Sequence, residues 1–461
     1  MTRTPASQDS VASSRRPLAP LALAQFICSF AGSNMNVMIN DIGEDLDTTV
    51  EGVQGTITLF LLIMAVLMIP GSKLTDRWGR KRCFLAGLTL YGIGALISAF
   101  SPSLAVLVLG NSVLEGVGTA LLIPPVYILA TMAFDDLPSR ARAFGLISGL
   151  GGVGAAAGPL IGGFIATAID WRAAFLFQAV VVAVIVLLSR RIVDPVAPDP
   201  SRPFDAAGAV LSAVGMFFVV FGILQAGSDA VLMAAFLTAG AGFLVWFFLH
   251  IRSRERAGKE ALLTMGLFRN RTSNLGLVTQ NMQWLVLMGT SFVVAVFLQT
   301  VRGYNAIETG VIFTSATAGV LLTSLAAERL ARKHSQKTLI SAGFIMTVAG
   351  VAILLVLVGA SSRVVAFAPG LLLIGMGVGV MLTPSVNLVQ SSFPEELQGE
   401  ISGLSRSVSN LGSSFGTAIA GTILVSGLAE GNRSYALAMI ALAVFALVGL
   451  AAAVSLPAGS K

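Results

Sequence analysis

The sequence predicts an all-α membrane protein: fourteen transmembrane helices, arranged as two six-helix bundles in parallel pseudo-symmetry plus an inserted helix pair, spans 7 and 8. Three observations predict it: the scarcity of charge, the length of the apolar runs, and an internal repeat that skips two spans. Of 461 residues, 55% are hydrophobic and only 11% charged, and the mean hydropathy is +0.85. Soluble domains carry about 25% charged residues, so the chain lacks the charge to cover a globule in water. Barrel strands would alternate apolar and polar residues, whereas runs such as LFLLIMAVLMIPG and AVVVAVIVLL are unbroken. Helices satisfy every backbone polar group in hydrocarbon.

A span needs about 20 apolar residues. The sequence offers fourteen such stretches, at 19–40, 53–72, 83–101, 104–128, 144–168, 173–189, 206–227, 230–250, 275–300, 307–326, 338–360, 364–390, 402–427 and 435–456. With the N-terminus inside, the basic residues gather on one side: Arg3, Arg15 and Arg16, the run Lys73 to Arg82, Arg140, Arg142, Arg190, Arg191, Arg202, the run Arg252 to Arg271, Arg329 to Lys337, Arg406 and Lys461. Of 29 Lys and Arg residues only Arg172, Arg302, Arg363 and Arg433 fall on the other side. One span more or fewer would scramble this asymmetry, so both termini are expected in the cytoplasm and the chain in the cell membrane. The inner membrane face accounts for the net charge of +6, and no nucleic acid is expected as a partner.

Expected boundaries follow. Residues 1–18, polar and Ser-rich, read as a disordered cytoplasmic tail, because the apolar stretch ahead of Ala22-Leu23-Ala24 is too short for a cleaved signal. Residues 19–189 form the first bundle, 190–272 a linker carrying the inserted pair, and 273–461 the second bundle. The repeat sets this division. Ile147-Ser148-Gly149-Leu150 recurs as Ile401-Ser402-Gly403-Leu404, with Gly158 and Gly162 recurring as Gly412 and Gly416. Gly116, Gly118 and Pro125 match Gly375, Gly377 and Pro384, and Ser72 to Gly87 aligns without gaps to Glu328 to Gly343. All pair span n with span n+8, the parallel repeat of a transporter whose site lies between two bundles.

Two motifs carry mechanical chemistry. After span 2 comes Ser72-Lys73-Leu74-Thr75-Asp76-Arg77-Trp78-Gly79-Arg80-Lys81-Arg82. Gly79 permits a tight turn, and Asp76 sits at a helix end among cations, where it can pair or cap a neighbouring helix. In span 5, Gly154-Ala155-Ala156-Ala157-Gly158-Pro159-Leu160-Ile161-Gly162-Gly163 sets small residues four apart, a face that lets backbones touch, with Pro159 allowing a bend. The first string resembles motif A of the major facilitator superfamily, GxLaDRxGRK, with Ser72 at its first glycine and Arg332 in place of the acid in the second half. The second is similar to the family's motif C, GxxxGPxxGG, characteristic of its antiporters and exporters. With fourteen spans and both motifs the chain looks like the fourteen-helix drug:proton antiporter branch, and Phe297 to Tyr304 resembles that branch as well. The resemblance implies alternating access between the bundles, conformational roles for Asp76, Arg77, Gly79 and Arg80 in motif A and for Gly154, Gly158, Pro159, Gly162 and Gly163 in motif C, a small-molecule substrate, protons and lipids as partners, and a monomer.

Members of that branch usually carry an Asp in span 1 and an Arg in motif B, RxxQG, of span 4. Here Ala31 and Ser112 occupy those positions, and the motif's glutamine is Glu115. Losing both charges together avoids stranding either in a low-dielectric interior, which costs about 3–5 kcal/mol. Glu115 reads as the sole carboxylate near the bilayer midplane. Such an acid is a functional site by default, here a candidate for proton coupling. Asn34, Asn36, Asn40, Asn111, Gln280, Asn281, Gln283 and Trp284 are the candidate cavity residues, making an uncharged polar cavity suited to neutral or cationic amphiphiles.

The expected function is secondary active export of amphipathic organic compounds, multidrug or metabolite efflux, with proton coupling. An uncoupled or uptake carrier is the alternative, motivated by Ala31 and Ser112. No catalytic residue, metal or cofactor is expected: two histidines and two cysteines form no metal-spaced cluster, and no nucleotide-binding loop is visible.

Overall fold

The computed structural model describes residues 18–134, 137–190, 192–194, 197–226, 229–360, 364–394, 397–425 and 432–457. The expected tail lies outside the described residues up to position 17, and the side chains of Asp76 and Arg332 also lie outside them.

All regular structure among these residues is helical. Helix α1 (Leu18–Asn34) runs through a 3-10 turn (Met35–Val37) towards the short α2 (Ile39–Asp45). Helices α3 (Val50–Trp78) and α4 (Arg80–Ala99) meet at Gly79, whose φ of 93° is the conformation glycine adopts freely. Helix α5 (Leu104–Leu107) passes through a π-helical segment (Val108–Glu115) into α6 (Gly116–Met132). Helices α7 (Leu137–Ala168) and α8 (Trp171–Ser189) complete the first group, and α9 (Ala206–Leu224) and α10 (Ala230–Arg256) follow. Helix α11 (Arg271–Val296) ends in a second π-helical segment (Phe297–Val301). The last group continues with α12 (Ala306–Lys333), α13 (Gln336–Ala360), α14 (Ala368–Gln390), α15 (Gln398–Val425) and α16 (Asn432–Val454).

Thirteen helices among the described residues are long and apolar enough to cross a membrane. The expected count was fourteen, and the difference is α15, which has the length, 28 residues, but not the apolarity. Its serines at 402, 405, 407, 409, 413 and 414 are all buried. Their hydroxyls bond to neighbouring helices or to their own preceding turn, as Ser407 does to the Ala65 carbonyl at 2.6 Å, so α15 owes its place to protein contacts and not to lipid.

In the first group α1 packs on α7 and α8, α3 on α6, and α4 on α6 and α8. In the last group α11 packs on α15 and α16, α12 on α14, and α13 on α14 and α16. Two seams join the groups, α3 against α15 and α7 against α12. Helices α9 and α10 pack on each other through Gly215, Gly222 and Gly240, and α9 leans on α3 and α15 at one seam. Helix α10 buries only Gly240, Phe247 and Ile251. Large apolar side chains such as Ile93, Leu187, Trp246 and Val356 point outwards, a belt that only hydrocarbon can solvate.

Helices α9 and α10 are anchored by Asp205, which caps α9 at the Gly208 amide (3.0 Å) and accepts from His250 (2.9 Å) and the Leu262 amide (3.2 Å), with Arg254 at 3.6 Å. Burial alone would raise this carboxyl, but the bonds from His250, Gly208 and Leu262 outweigh it and hold it below its ordinary value of 3.8. A carboxylate so depressed stabilises the fold fully above the unfolded value and loses that contribution as pH falls through the lower folded one. Asp205→Ala is expected to remove about 3 kcal/mol by leaving His250 and Arg254 facing an empty site. Thermal unfolding in detergent should show a lower midpoint for the variant at pH 7, and the difference should close in strongly acidic buffer.

Candidate functional site

The seam between α7 and α12 is built from backbone. A Cβ on Gly163 would lie 2.2 Å from the Ala306 carbonyl oxygen, and one on Gly310 would lie 2.6 Å from that of Pro159. The Thr317 hydroxyl donates to the Ala156 carbonyl at 2.6 Å. Gly154, Gly158 and Gly162 face α1 instead, against the Phe26 carbonyl, Ser33 and Asn34. One ten-residue stretch therefore holds α7 against its own group on one side and against the other group on the next.

The polar candidates divide into three sets. Asn36 and Asn40 tie the end of α1 to α11: the Asn36 amide donates to Ser291 (3.3 Å), the Gln299 amide donates to the Asn36 carbonyl (2.7 Å), and the Asn40 amide donates to the Gln299 carbonyl (3.1 Å). Gln280 and Asn281 stay within the last group, Gln280 between Ser385 (2.9 Å) and Ser405 (2.7 Å) and Asn281 on the Val408 carbonyl (2.8 Å). Gln283 accepts from Ser385 at 3.3 Å. Asn34 and Asn111 are buried with no hydrogen-bond partner for either amide atom. Of the eight cavity candidates only Trp284 lines the cavity that lies between the groups.

That cavity, about 40 Å³, is walled by Leu61, Met64, Met68, Ile123, Trp284 and Met288, with Arg406, Ser409 and Ser413 from α15. The cavity is therefore not uncharged as expected: Arg406, a residue whose charge suggests the cytoplasmic face, lines it. Arg406 is only 9% exposed. Its guanidinium donates to the Tyr127 hydroxyl and lies 4.2 Å from the centre of that ring, and its Nε has no partner. Tyr127 donates in turn to Gln25 at 3.1 Å, and Gln25 to Ser29 at 3.2 Å. The signal was present: Ser402, Arg406, Ser409 and Ser413 recur at four, three and four residues, one face of a helix.

Beyond Tyr127 opens a vestibule of about 770 Å³ at the basic end of the molecule. Lys73 pairs there with Glu400 at 2.7 Å, and the Ser72 hydroxyl donates to the Gly399 carbonyl at 2.6 Å, closing α3 on α15. The turn at Gly79 is held by Asp194, which accepts from the Arg80 and Lys81 amides at 2.7 and 3.2 Å. This capping acid follows α8 and was missed from sequence, because its contact spans 114 positions.

Glu115 lies elsewhere. It is fully buried inside the first group, where the Ser98 hydroxyl is 3.5 Å from Oε1 and Oε2 has no partner. Tyr91, two turns before Ser98 on α4, donates to the Ile27 carbonyl at 3.4 Å and to Gln178. A Cβ on Gly94 would meet the Gly110 carbonyl and Glu115. In α13 and α14, one on Gly350 would meet the Gly370 carbonyl and Ile374. The spacing is five residues in the first case and four in the second, so the π-helical segment carries one extra residue. Such insertions recur at functional sites. Ser112 donates to the Thr56 carbonyl at 2.8 Å and Ala31 is buried.

Residues 21–417 match the family described as the Major Facilitator Superfamily. The chain belongs to the major facilitator superfamily. Its superfamily relatives are transporters. It is 27% identical over 400 residues to the multidrug resistance protein Stp of Mycobacterium tuberculosis, covering 86% of this chain and 73% of that one. It is 28% identical over 410 residues to the multidrug efflux pump LfrA of Mycolicibacterium smegmatis, covering 89% and 80%. It is 26% identical over 411 residues to the puromycin resistance protein pur8 of Streptomyces alboniger, covering 88% and 81%. A crystal structure of a peptide transporter with sulfate superposes with a TM-score of 0.68 at 16% identity, covering 95% of this chain and 94% of that one, which is a likeness of fold. As a superfamily member with this many apolar helices, the protein is a multi-pass protein of the cell membrane.

The superfamily fold gives the Lys73–Glu400 pair a testable consequence, since it joins the two groups at the basic end. Glu400 also accepts from the Thr264 amide at 2.8 Å. Glu400→Gln is expected to loosen this end, and a cysteine placed at Ser402 should react with a charged maleimide several times faster in that background.

Proposed function

We propose that the protein is a secondary active exporter of amphipathic organic compounds, of the multidrug or metabolite efflux kind, working by alternating access and coupled to protons through Glu115. The observation that carries this is the pair of seams. Both depend on small residues and short polar bonds between two separately packed groups, and they enclose a cavity far too small for an organic molecule. A cavity of about 40 Å³ holds roughly one water, so a substrate enters only when one seam parts.

We read α15 as the remaining span, for fourteen in all, with both termini cytoplasmic and the chain acting as a monomer. The groups are two six-helix bundles in parallel pseudo-symmetry. In support, the main helix pairings of the first group, α1 with α7 and α8, α3 with α6, and α4 with α6 and α8, have their counterparts eight spans later, and Gly412 and Gly416 meet the Asn281 and Leu285 carbonyls much as Gly158 and Gly162 meet α1. Motif A and motif C serve the closing of the two ends. Proton coupling is supported by Glu115 being the one fully buried carboxyl with no cationic partner among the described residues. The names of the relatives support the direction, export.

Purified protein in proteoliposomes, offered a panel of neutral, cationic and anionic amphiphiles, should concentrate at least one of them when a pH gradient is imposed, and a protonophore should abolish the effect. Ala31 and Ser112 favour the second reading, an uncoupled or uptake carrier. A downhill flux that ignores the gradient would sustain that reading and sink coupled export.

A further inference from the structure

We propose that the cavity between the bundles takes amphipathic organic anions, an apolar body bearing one carboxylate or phenolate, with the Arg406 guanidinium as the counter-charge. The inference deepens the exporter reading by naming a substrate class, and rests on it for the direction of transport. It stands on three observations. Arg406 is 9% exposed and reaches the cavity, yet among the described residues no carboxylate lines that cavity or pairs with Arg406. Its only hydrogen-bond partner there is the neutral Tyr127 hydroxyl, and its Nε is unpartnered. The walls supply an apolar body's complement, with Met64, Met68, Met288 and Trp284.

A guanidinium held away from water without a counter-ion is unfavourable, and the charge is recovered when an anion arrives. Methionines reshape readily around ligands of different outline. Arg406 also lies just behind Tyr127, at the inner wall of the vestibule. That vestibule is lined by Lys73, Arg77, Arg80, Arg202 and Lys259 against Glu255, Glu260 and Glu400. A basic mouth leading to a buried arginine concentrates anions and disfavours cations.

The test is equilibrium binding of three radiolabelled probes of one shape, 2-naphthoate, 2-naphthamide and 2-naphthylmethylammonium, to the purified full-length chain. Wild type should bind the naphthoate about tenfold more tightly than either other probe, the size expected for one desolvated charge pair. Arg406→Gln should lower naphthoate affinity to that of the amide while leaving amide binding unchanged, which also reports that the variant is folded. Arg406→Lys should keep an intermediate preference, and Tyr127→Phe should keep the full one, since the charge and not the tether is what the anion reads. The proposal is overturned if wild type binds none of the probes, if it binds the ammonium or the amide as tightly as the naphthoate, or if Arg406→Gln retains the preference. Should Arg406→Gln fail to bind the amide, Arg406→Lys decides, and loss of the carboxylate preference there overturns the proposal. Binding is independent of coupling and direction. A chain that selects naphthoate but exports nothing upholds this site and fails the exporter reading, and a chain that exports cations without selecting naphthoate does the reverse.

Discussion

Proteoliposomes carrying Glu115→Gln are expected to lose pH-driven transport down to the level of empty vesicles, while still exchanging substrate across the membrane when no gradient is imposed. The amide keeps the volume of the carboxyl and can accept from Ser98 as Oε1 does, so the fold is disturbed by about 1 kcal/mol or less. What it cannot do is take up and give up a proton. Because Glu115 faces Ser98 inside the first group and not the cavity between the groups, substrate binding should be unchanged, which separates loss of coupling from loss of the site. Equal pH-driven accumulation by wild type and variant would remove Glu115 from the mechanism.

Gly163→Val should abolish transport by a different route. The added Cβ alone would sit 2.2 Å from the Ala306 carbonyl oxygen, which belongs to backbone and cannot move aside. Overpacking of this kind costs about 1–3 kcal/mol, and here it falls on a contact that the proposed alternating access would have to re-form in every cycle. The expected signature is a protein that still folds and binds but turns over at least about tenfold more slowly. Gly149→Ala, on the same helix with nothing within 4 Å of its Cβ, should transport normally and gain slightly in stability, since alanine favours the helix by about 1 kcal/mol. If both variants transport equally well, close approach of α7 and α12 is not required.

Much of this was legible beforehand, and what was hidden has a common cause. The helices and the touching face of α7 could be read because each depends on residues near one another in sequence: apolar runs, charge runs, glycines four apart. Sequence spacing also told which side chains share a face. It did not tell which neighbour the face meets. Asn36 and Asn40 lie four residues apart, yet the partner they share, Gln299, is 259 positions from Asn40. Asn281 seemed a cavity residue and instead spans to the Val408 carbonyl within the last group. Arg406 was assigned to a membrane face by its charge, although it sits eight positions into α15, on the stripe that lines the cavity. Charge alone locates a residue only when no enclosed partner such as Tyr127 is available to it.

The extra residue in Val108–Glu115 makes the acid's position a property of winding rather than of side-chain choice. Each residue turns an α-helix by about 100°. Deleting one from this segment would keep α6 in place and swing everything on the other side of the cut by that angle, or carry Glu115 itself out of its niche beside Ser98. Planting a glutamate at Ile374 would not create a second such niche, because Leu354 stands there in the place of Ser98 and the helix has no added residue. The two halves are therefore not interchangeable parts: one carries the extra residue that seats Glu115 beside Ser98, and the other has neither the residue nor the niche.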